Sequence, residues 1–335
     1  MGGPDPLERA DADMRRLLET YQGLGGRRIE LCIPREARSL PTLGQAVNEI
    51  VRLQARAPSH DGVETAELEI AGPGGPITIR LYRTDRDADQ APLLVYLHGG
   101  GWVLSDLDAA DPVPRAMARK TGAIVASVRY RQAPEHKFPA AFEDAFAAWR
   151  WLTQNARDYG ADPRRAAIMG EGVGATMALD VAARARKTGE RRALHLVMLY
   201  PWAGGDLNSP SAVEHARAVP LGAPAIQWFI RHALPSPDAL SDPRIDMARR
   251  TDLSILPSTT LILAEIDPLR SGAEALGAAL QRAGVELETS LYMGVTHGFF
   301  GLSRLVNKAM LAEAVVADRL RRVFKQNPVS LLRAG

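Results

Sequence analysis

Ile168-Met169-Gly170-Glu171-Gly172-Val173-Gly174-Ala175 is the stretch around which this chain is organised. The apolar run Ala166–Met169 precedes it and a helical pattern over 173–187 follows, so the octad reads as a strand, a sharp turn and a helix. A Gly-x-Ser-x-Gly run places a serine nucleophile at the tip of such a turn. Here the frame is Gly170-x-x-x-Gly174, and the central residue is Gly172. The octad therefore points to a scaffold while leaving its chemistry open.

Outward from this turn, four more continuous apolar runs have the character of strands buried on both faces: Pro92–Leu97, Ala123–Val128, Leu194–Tyr200 and Thr259–Ala264. Helical patterns lie between and after them, at about 109–121, 139–157, 173–187, 271–283 and 302–326. Alternating buried strands and amphipathic helices predict a mostly parallel sheet with helices on both faces, an α/β architecture. Upstream, Ala66–Ile70 and Ile77–Tyr82 alternate apolar and polar around Gly72-Pro73-Gly74-Gly75-Pro76, which predicts an antiparallel hairpin.

Two segments stand outside the alternation. Residues 1–60 are amphipathic and helical, with Leu7, Met14, Leu17, Leu18 and Tyr21 at helical spacing before Gly23 and Gly25-Gly26, and a second run from Thr42 to Leu53 that ends near Pro58. Residues 204–256 are rich in Pro, Ser and Asp, with one helix expected around Ala223–His232. The expected organisation is an N-terminal cap over 1–60, a core over 61–203 and 257–335, and a cap insertion over 204–256. Whether the first segment merely covers the core or acts as a lid is not decided by its composition.

The 335 residues carry 41 Lys+Arg against 39 Asp+Glu, for a net charge of +2, and the signs are interleaved. No basic block of the kind a nucleic-acid footprint needs is present. The single cysteine, Cys32, excludes an internal disulfide and a Cys-based metal site, and its apolar neighbours make it a packing residue. His60, His136, His195, His215 and His232 lack metal-ligand spacing, so neither a metal nor a cofactor is expected. The first 20 residues lack the apolar core of a signal peptide, and no run reaches the roughly 18 apolar residues of a membrane span. A cytoplasmic protein is the expectation.

In open α/β sheets, ligands bind beyond the carboxyl ends of the strands. Four Gly-rich or polar stretches follow predicted strands: His98-Gly99-Gly100-Gly101-Trp102, the Gly172 turn, Glu265-Ile266-Asp267-Pro268, and Thr296-His297-Gly298-Phe299 after the last strand, Leu287–Met293. His98-Gly-Gly-Gly101 has the form of a loop that offers backbone N–H groups to a developing oxyanion, where side chains would obstruct the approach. With these residues in view, the sequence resembles the bacterial hormone-sensitive-lipase-like (family IV) carboxylesterases of the α/β-hydrolase superfamily. Tyr130–Ala141 is close to a signature stretch of that family, and the order 172, 267, 297 matches its nucleophile, acid and histidine.

The resemblance implies an α/β-hydrolase fold with a helical cap. It implies an oxyanion hole from Gly100, Gly101 and the Val173 N–H, and His297 as the general base for residue 172, oriented by Asp267. It also implies a small-molecule ester or carbonyl ligand, and a homodimer is a further expectation because relatives often pair. Glu171 occupies a position where the family carries an acid without direct chemistry. Departures cluster near the site: Gly172 itself, Ser105 where glycine is common, Arg129 where an acid or amide is usual, Gln132 in place of Leu, Ala175-Thr176 in place of Gly-Asn, and Ser271 in place of an acid.

Three readings of Gly172 stay open at this level. One is an esterase-derived protein impaired in serine acyl transfer but retaining its oxyanion hole and His–Asp pair. A second is a small-molecule-binding pseudoenzyme or sensor. The third is an active carboxylesterase in which serine was replaced by glycine. Thr176 and Ser105 are weak substitutes for a nucleophile, the first facing into helix packing and the second with no base aimed at it.

Overall fold

A computed structural model describes residues 6–54, 62–84 and 90–325. The first five residues, the approach to Pro58 with His60, and the C-terminal end after 325 lie outside the described residues.

Eight strands form one sheet in the order β1-β2-β4-β3-β5-β6-β7-β8. They are β1 Glu64–Gly72, β2 Gly75–Arg83, β3 Ala91–Leu97, β4 Ile124–Arg129, β5 Ala161–Glu171, β6 His195–Leu199, β7 Ser258–Ile266 and β8 Leu287–Thr296. The hairpin β1–β2 is antiparallel with Leu68 opposite Ile79, and β2 joins β4 antiparallel, while every other pairing is parallel. The helices of more than two turns are α1 Ala12–Gly23, α2 Leu43–Leu53, α3 Pro112–Thr121, α4 Ala140–Gln154, α5 Val173–Thr188, α6 Ala223–Ala233, α7 Arg270–Arg282 and α8 Asn307–Lys325.

The continuous apolar runs are buried on both faces, as expected for a covered parallel sheet. Leu93, Val95 and Leu97 enter one core cluster with α4 and α5, and Leu94 and Tyr96 enter the other with α1, α2, α3 and α8. This alternation is the two-residue period of a strand resolved into two layers of core. Met14, Leu17, Leu18 and Tyr21 of α1 are buried in the second layer, so the N-terminal segment is part of the packed structure.

Several helix ends differ from the sequence expectation. The pattern from 109 starts as a helix only at Pro112, which presets φ for a first turn and has no N–H to leave unpaired. The pattern from 302 becomes helical only at Asn307, after turns at Leu302–Val306. The last strand runs three residues beyond Met293, to Thr296. A one-turn helix at Pro210–Glu214 was not expected, because so short an element has no hydrophobic period to read.

The strand order positions the site. Chain order reverses about β3: β4 lies on one side of it and β5 on the other, so the loops leaving β3 and β5 diverge and leave a crevice at their carboxyl ends. Leu97 pairs with Gly170, which puts the His98–Trp102 loop beside the Gly172 turn. At the other edge, Ile266 of β7 pairs with Thr296 of β8, and the next residues along the two strands are Asp267 and His297.

Candidate active site

The turn between β5 and α5 holds Gly172 at φ 53° and ψ −117°, in the left-handed region that favours glycine. Its N–H donates to the Leu199 carbonyl (2.9 Å), and its carbonyl accepts from Ala175 (3.1 Å) and Trp202 (3.2 Å), so the turn is held on both sides. The flanking glycines answer to close packing. A Cβ on Gly170 would lie 2.2 Å from the Gly174 carbonyl oxygen, and one on Gly174 would lie 2.0 Å from the Leu97 carbonyl oxygen. At Gly172 the situation is reversed: a Cβ would meet only His297, at 3.5 Å from Nε2 and 3.7 Å from Cε1. The turn thus has open space at its tip, next to an imidazole nitrogen.

His297 follows β8 and Asp267 follows β7. His297 Nδ1 donates to Asp267 Oδ2 at 2.8 Å, and since a carboxylate can only accept, the neutral imidazole presents its unprotonated Nε2 toward Gly172. Asp267 is 1% exposed, and its other oxygen accepts the Leu269 N–H at 2.8 Å. Burial alone pulls the His297 pKa down, but the Asp267 charge and hydrogen bond and the nearby Glu171 outweigh it, leaving the imidazole above its ordinary value.

Glu171 was expected to be structural, and the structure gives it a larger place. Tyr96 donates to one of its carboxylate oxygens (2.8 Å) and Tyr200 to the other (3.1 Å). Tyr200 also packs its ring against His297, with centroids 4.7 Å apart. Burial pushes the Glu171 carboxyl up, against the stabilising hydrogen bonds from the tyrosines and the attraction of His297. Tyr96 and Tyr200 were missed as site residues because each sits within a hydrophobic strand run and reads as core.

The His98–Trp102 loop faces this pair across the crevice. Gly100 and Gly101 have φ of 101° and 62°. A Cβ on Gly100 would lie 2.1 Å from the Leu104 carbonyl oxygen, and one on Gly101 would lie 2.1 Å from the Phe229 ring. Neither Gly100 nor Gly101 donates its N–H to a backbone carbonyl among the described residues. Val173 opens α5, where first-turn N–H groups have no partner within the helix and carry the positive end of its dipole.

The loop is braced from behind. His98 Nδ1 donates to the Gly99 carbonyl (2.8 Å), its ring stacks on Tyr130 at 4.3 Å, and Tyr130 donates to the His98 carbonyl (2.9 Å). Burial pulls the His98 pKa down to about 4, so this ring is neutral over the physiological range. Gln132 donates its amide to the carbonyls of Leu104 (2.8 Å) and Ser105 (3.0 Å), which gives that departure a structural role. Arg38 reaches across from the N-terminal segment, donating to the carbonyls of Val103 (2.9 Å) and Ala133 (2.7 Å) while paired with Glu135.

Gly100, Gly101, Gly172, Val173 and His297 all line one cavity of about 720 Å³. Tyr21 and Leu40–Gly44 close it from the N-terminal segment, and Leu221 and Phe229 from the 204–256 insertion. The two covers are tied together, since Trp228 Nε1 donates to the Cys32 carbonyl at 2.9 Å. Thr176 stays out of the site: its hydroxyl is buried and donates to the Trp202 carbonyl at 2.6 Å. His195 is likewise engaged elsewhere, between Ser258 and Thr260. Among the described residues, no group of three or more His, Cys, Asp or Glu is arranged to hold a metal ion.

Residues 94–301 match the family model described as the alpha/beta hydrolase fold. The chain belongs to the α/β-hydrolase family. This α/β-hydrolase is 39% identical to an esterase, LipI, of Mycobacterium tuberculosis over 79% of its own length and 84% of the relative's. It is 32% identical to the ethyl acetate hydrolase of Pseudomonas putida, covering 74% of this chain and 79% of that one. Among solved structures it superposes on the hyperthermophilic esterase of the archaeon Pyrobaculum calidifontis with a TM-score of 0.81 and 34% identity, covering 91% and 97% of the two chains. These matches support the hormone-sensitive-lipase-like resemblance read from the motifs and make the protein akin to carboxylic ester hydrolases. No helix among the described residues is long and apolar enough to cross a membrane.

Proposed function

We propose that this protein is a carboxylic-ester-recognising α/β-hydrolase in which Gly172 stands at the nucleophile position. Serine acyl transfer is lost, while the oxyanion hole and the His–Asp pair are kept. The carrying observation is the open space at Gly172: a Cβ there fits without collision, 3.5 Å from His297 Nε2. A serine Oγ, one bond further out, falls within hydrogen-bond reach of that nitrogen. The rest of the machinery is arranged for such a group.

In this reading, Gly100, Gly101 and Val173 direct backbone N–H groups at the carbonyl oxygen of a bound ester. Their donation strengthens as the oxygen becomes an oxyanion. Asp267 fixes the tautomer and orientation of His297, whose Nε2 is free to take a proton. Without a serine, the group available to His297 is a water in the vacated space: the imidazole takes a proton from the water as its oxygen attacks the carbonyl, and the proton then goes to the leaving alkoxide. Loss of the serine in a serine hydrolase removes about six decades of turnover, with a residual rate left to the oxyanion hole and binding. The unmodified protein is therefore a slow hydrolase of activated short-chain esters. We assign the N-terminal helices and the 204–256 insertion as its cap, since both line the cavity.

The test is turnover of p-nitrophenyl acetate and butyrate by the unmodified protein and by Gly172→Ser. Weak hydrolysis by the first and strong hydrolysis by the second is the expected result. Turnover by the unmodified protein at the rate of its serine-bearing relatives overturns the lost-nucleophile account. A small-molecule sensor is the second reading, supported by the same cavity, and it predicts saturable ester binding with no turnover at all.

A further inference from the structure

Three arginines line the cavity, and two of them are occupied. Arg131 grips Asp144 with two donors (2.9 and 2.7 Å), and Arg38 grips Glu135 with two (2.8 and 2.7 Å). Arg129 has neither an ion pair nor a side-chain hydrogen bond among the described residues, and it is exposed. It is the last residue of β4, opposite Thr78, at the carboxyl end of the sheet where ligands of this architecture bind.

A second, independent feature belongs to the same cavity. Ser105 has φ 74°, a left-handed conformation that is strained for a non-glycine residue and that concentrates at functional sites. Its Cβ stands 3.0 Å from where a Cβ of Gly100 would be, so it flanks the oxyanion donors proposed above. Its hydroxyl has no hydrogen-bond partner among the described residues. Gln132, three residues after Arg129, holds the Ser105 carbonyl at 3.0 Å, so the loop carrying Ser105 and the segment carrying Arg129 are fixed to each other. Asp106, the acid of this loop that lines the cavity, has one oxygen engaged by the N–H groups of Asp108 (3.0 Å) and Ala109 (2.8 Å).

We infer that Arg129 and Ser105 form a subsite for a carboxylate carried by the substrate at a distance from its ester carbonyl. The ligand class is a half-ester of a short dicarboxylic acid. A guanidinium offers a planar fork that matches a carboxylate, and such charge-assisted pairs are stronger than neutral hydrogen bonds. The ester end is placed at the oxyanion donors and the acid end at Arg129, with the Ser105 hydroxyl as an added donor. This inference rests on the ester-recognising reading above.

The experiment is calorimetric titration of the full chain, at low salt, with monomethyl glutarate and with dimethyl glutarate. The expected result is about tenfold tighter binding of the monoester, lost in Arg129→Gln, partly kept in Arg129→Lys, and reduced severalfold in Ser105→Ala. Thermal unfolding of each variant establishes that it is folded. Equal affinity for the two esters, or a monoester preference that survives Arg129→Gln, overturns the subsite while leaving the ester reading standing. Failure of both esters to bind the unmodified chain and Gly172→Ser overturns both.

Discussion

The two glycine-rich turns of the site use glycine for opposite reasons. In the loop after β3, Gly100 and Gly101 are compulsory: a methyl group on the first would stand 2.1 Å from the Leu104 carbonyl oxygen, and one on the second 2.1 Å from the Phe229 ring. In the turn after β5, Gly170 and Gly174 are compulsory in the same way, but Gly172 between them faces room. The first turn is glycine because nothing else fits. The second keeps glycine at its tip where a side chain fits and where the His297–Asp267 pair lies beside it. Glycine there relieves left-handed strain, so the tip is a place where conformational comfort and serine chemistry are in opposition.

Gly172→Ser sharpens this contrast most. It should raise kcat for p-nitrophenyl butyrate by roughly four to six decades, the scale of serine loss in serine hydrolases. Urea unfolding of the same variant should show a stability loss of about 1–3 kcal/mol from the strained φ. A gain in both rate and stability would break the opposition. In that serine background, Asp267→Asn should lower kcat by about 10⁴, because the imidazole loses its orienting acceptor, with substrate binding changed far less in steady-state kinetics.

The compulsory glycines give the next effect. Gly100→Ala should cost about 10²–10³ in kcat in the serine background, through displacement of an oxyanion donor, and circular-dichroism melting will report the accompanying strain. Gln132→Leu leaves the carbonyls of Leu104 and Ser105 without their shared donor, and a stability loss of about 1 kcal/mol per hydrogen bond is expected in urea titration.

The smallest effect concerns pH. A general base acts only when deprotonated, so the rate of the serine variant should climb with pH through an inflection above the ordinary imidazole value, as the raised His297 pKa requires. Glu171→Gln removes a nearby negative charge that favours the imidazolium. The inflection should then move to lower pH in the kcat/KM profile, and an unmoved inflection would show that Glu171 acts only as a tether for Tyr96 and Tyr200.

Hydrophobic period and turn chemistry are local properties, and they sufficed for much of this protein. The five buried apolar runs, the antiparallel hairpin and the covering helices were legible because burial on one or two faces writes a pattern directly into the residues. The motifs after the strands were legible because a parallel sheet brings its carboxyl ends to one side. What the sequence by itself determined was therefore the scaffold, the family resemblance and the absence of a serine at position 172.

Pairing between distant segments leaves no such local trace. Only the tertiary structure decided that Ile266 and Thr296 lie opposite each other and so deliver Asp267 to His297, that Tyr96 and Tyr200 turn from core residues into holders of Glu171, and that Arg38 of the N-terminal segment reaches the Val103 carbonyl just past the glycine-rich loop. It alone distinguished the crowded glycines from the uncrowded one. Spelling shows a glycine's lack of side chain, whereas the room around it is set by neighbours from β3, α6 and the His297 loop, brought there by the packing of the whole chain.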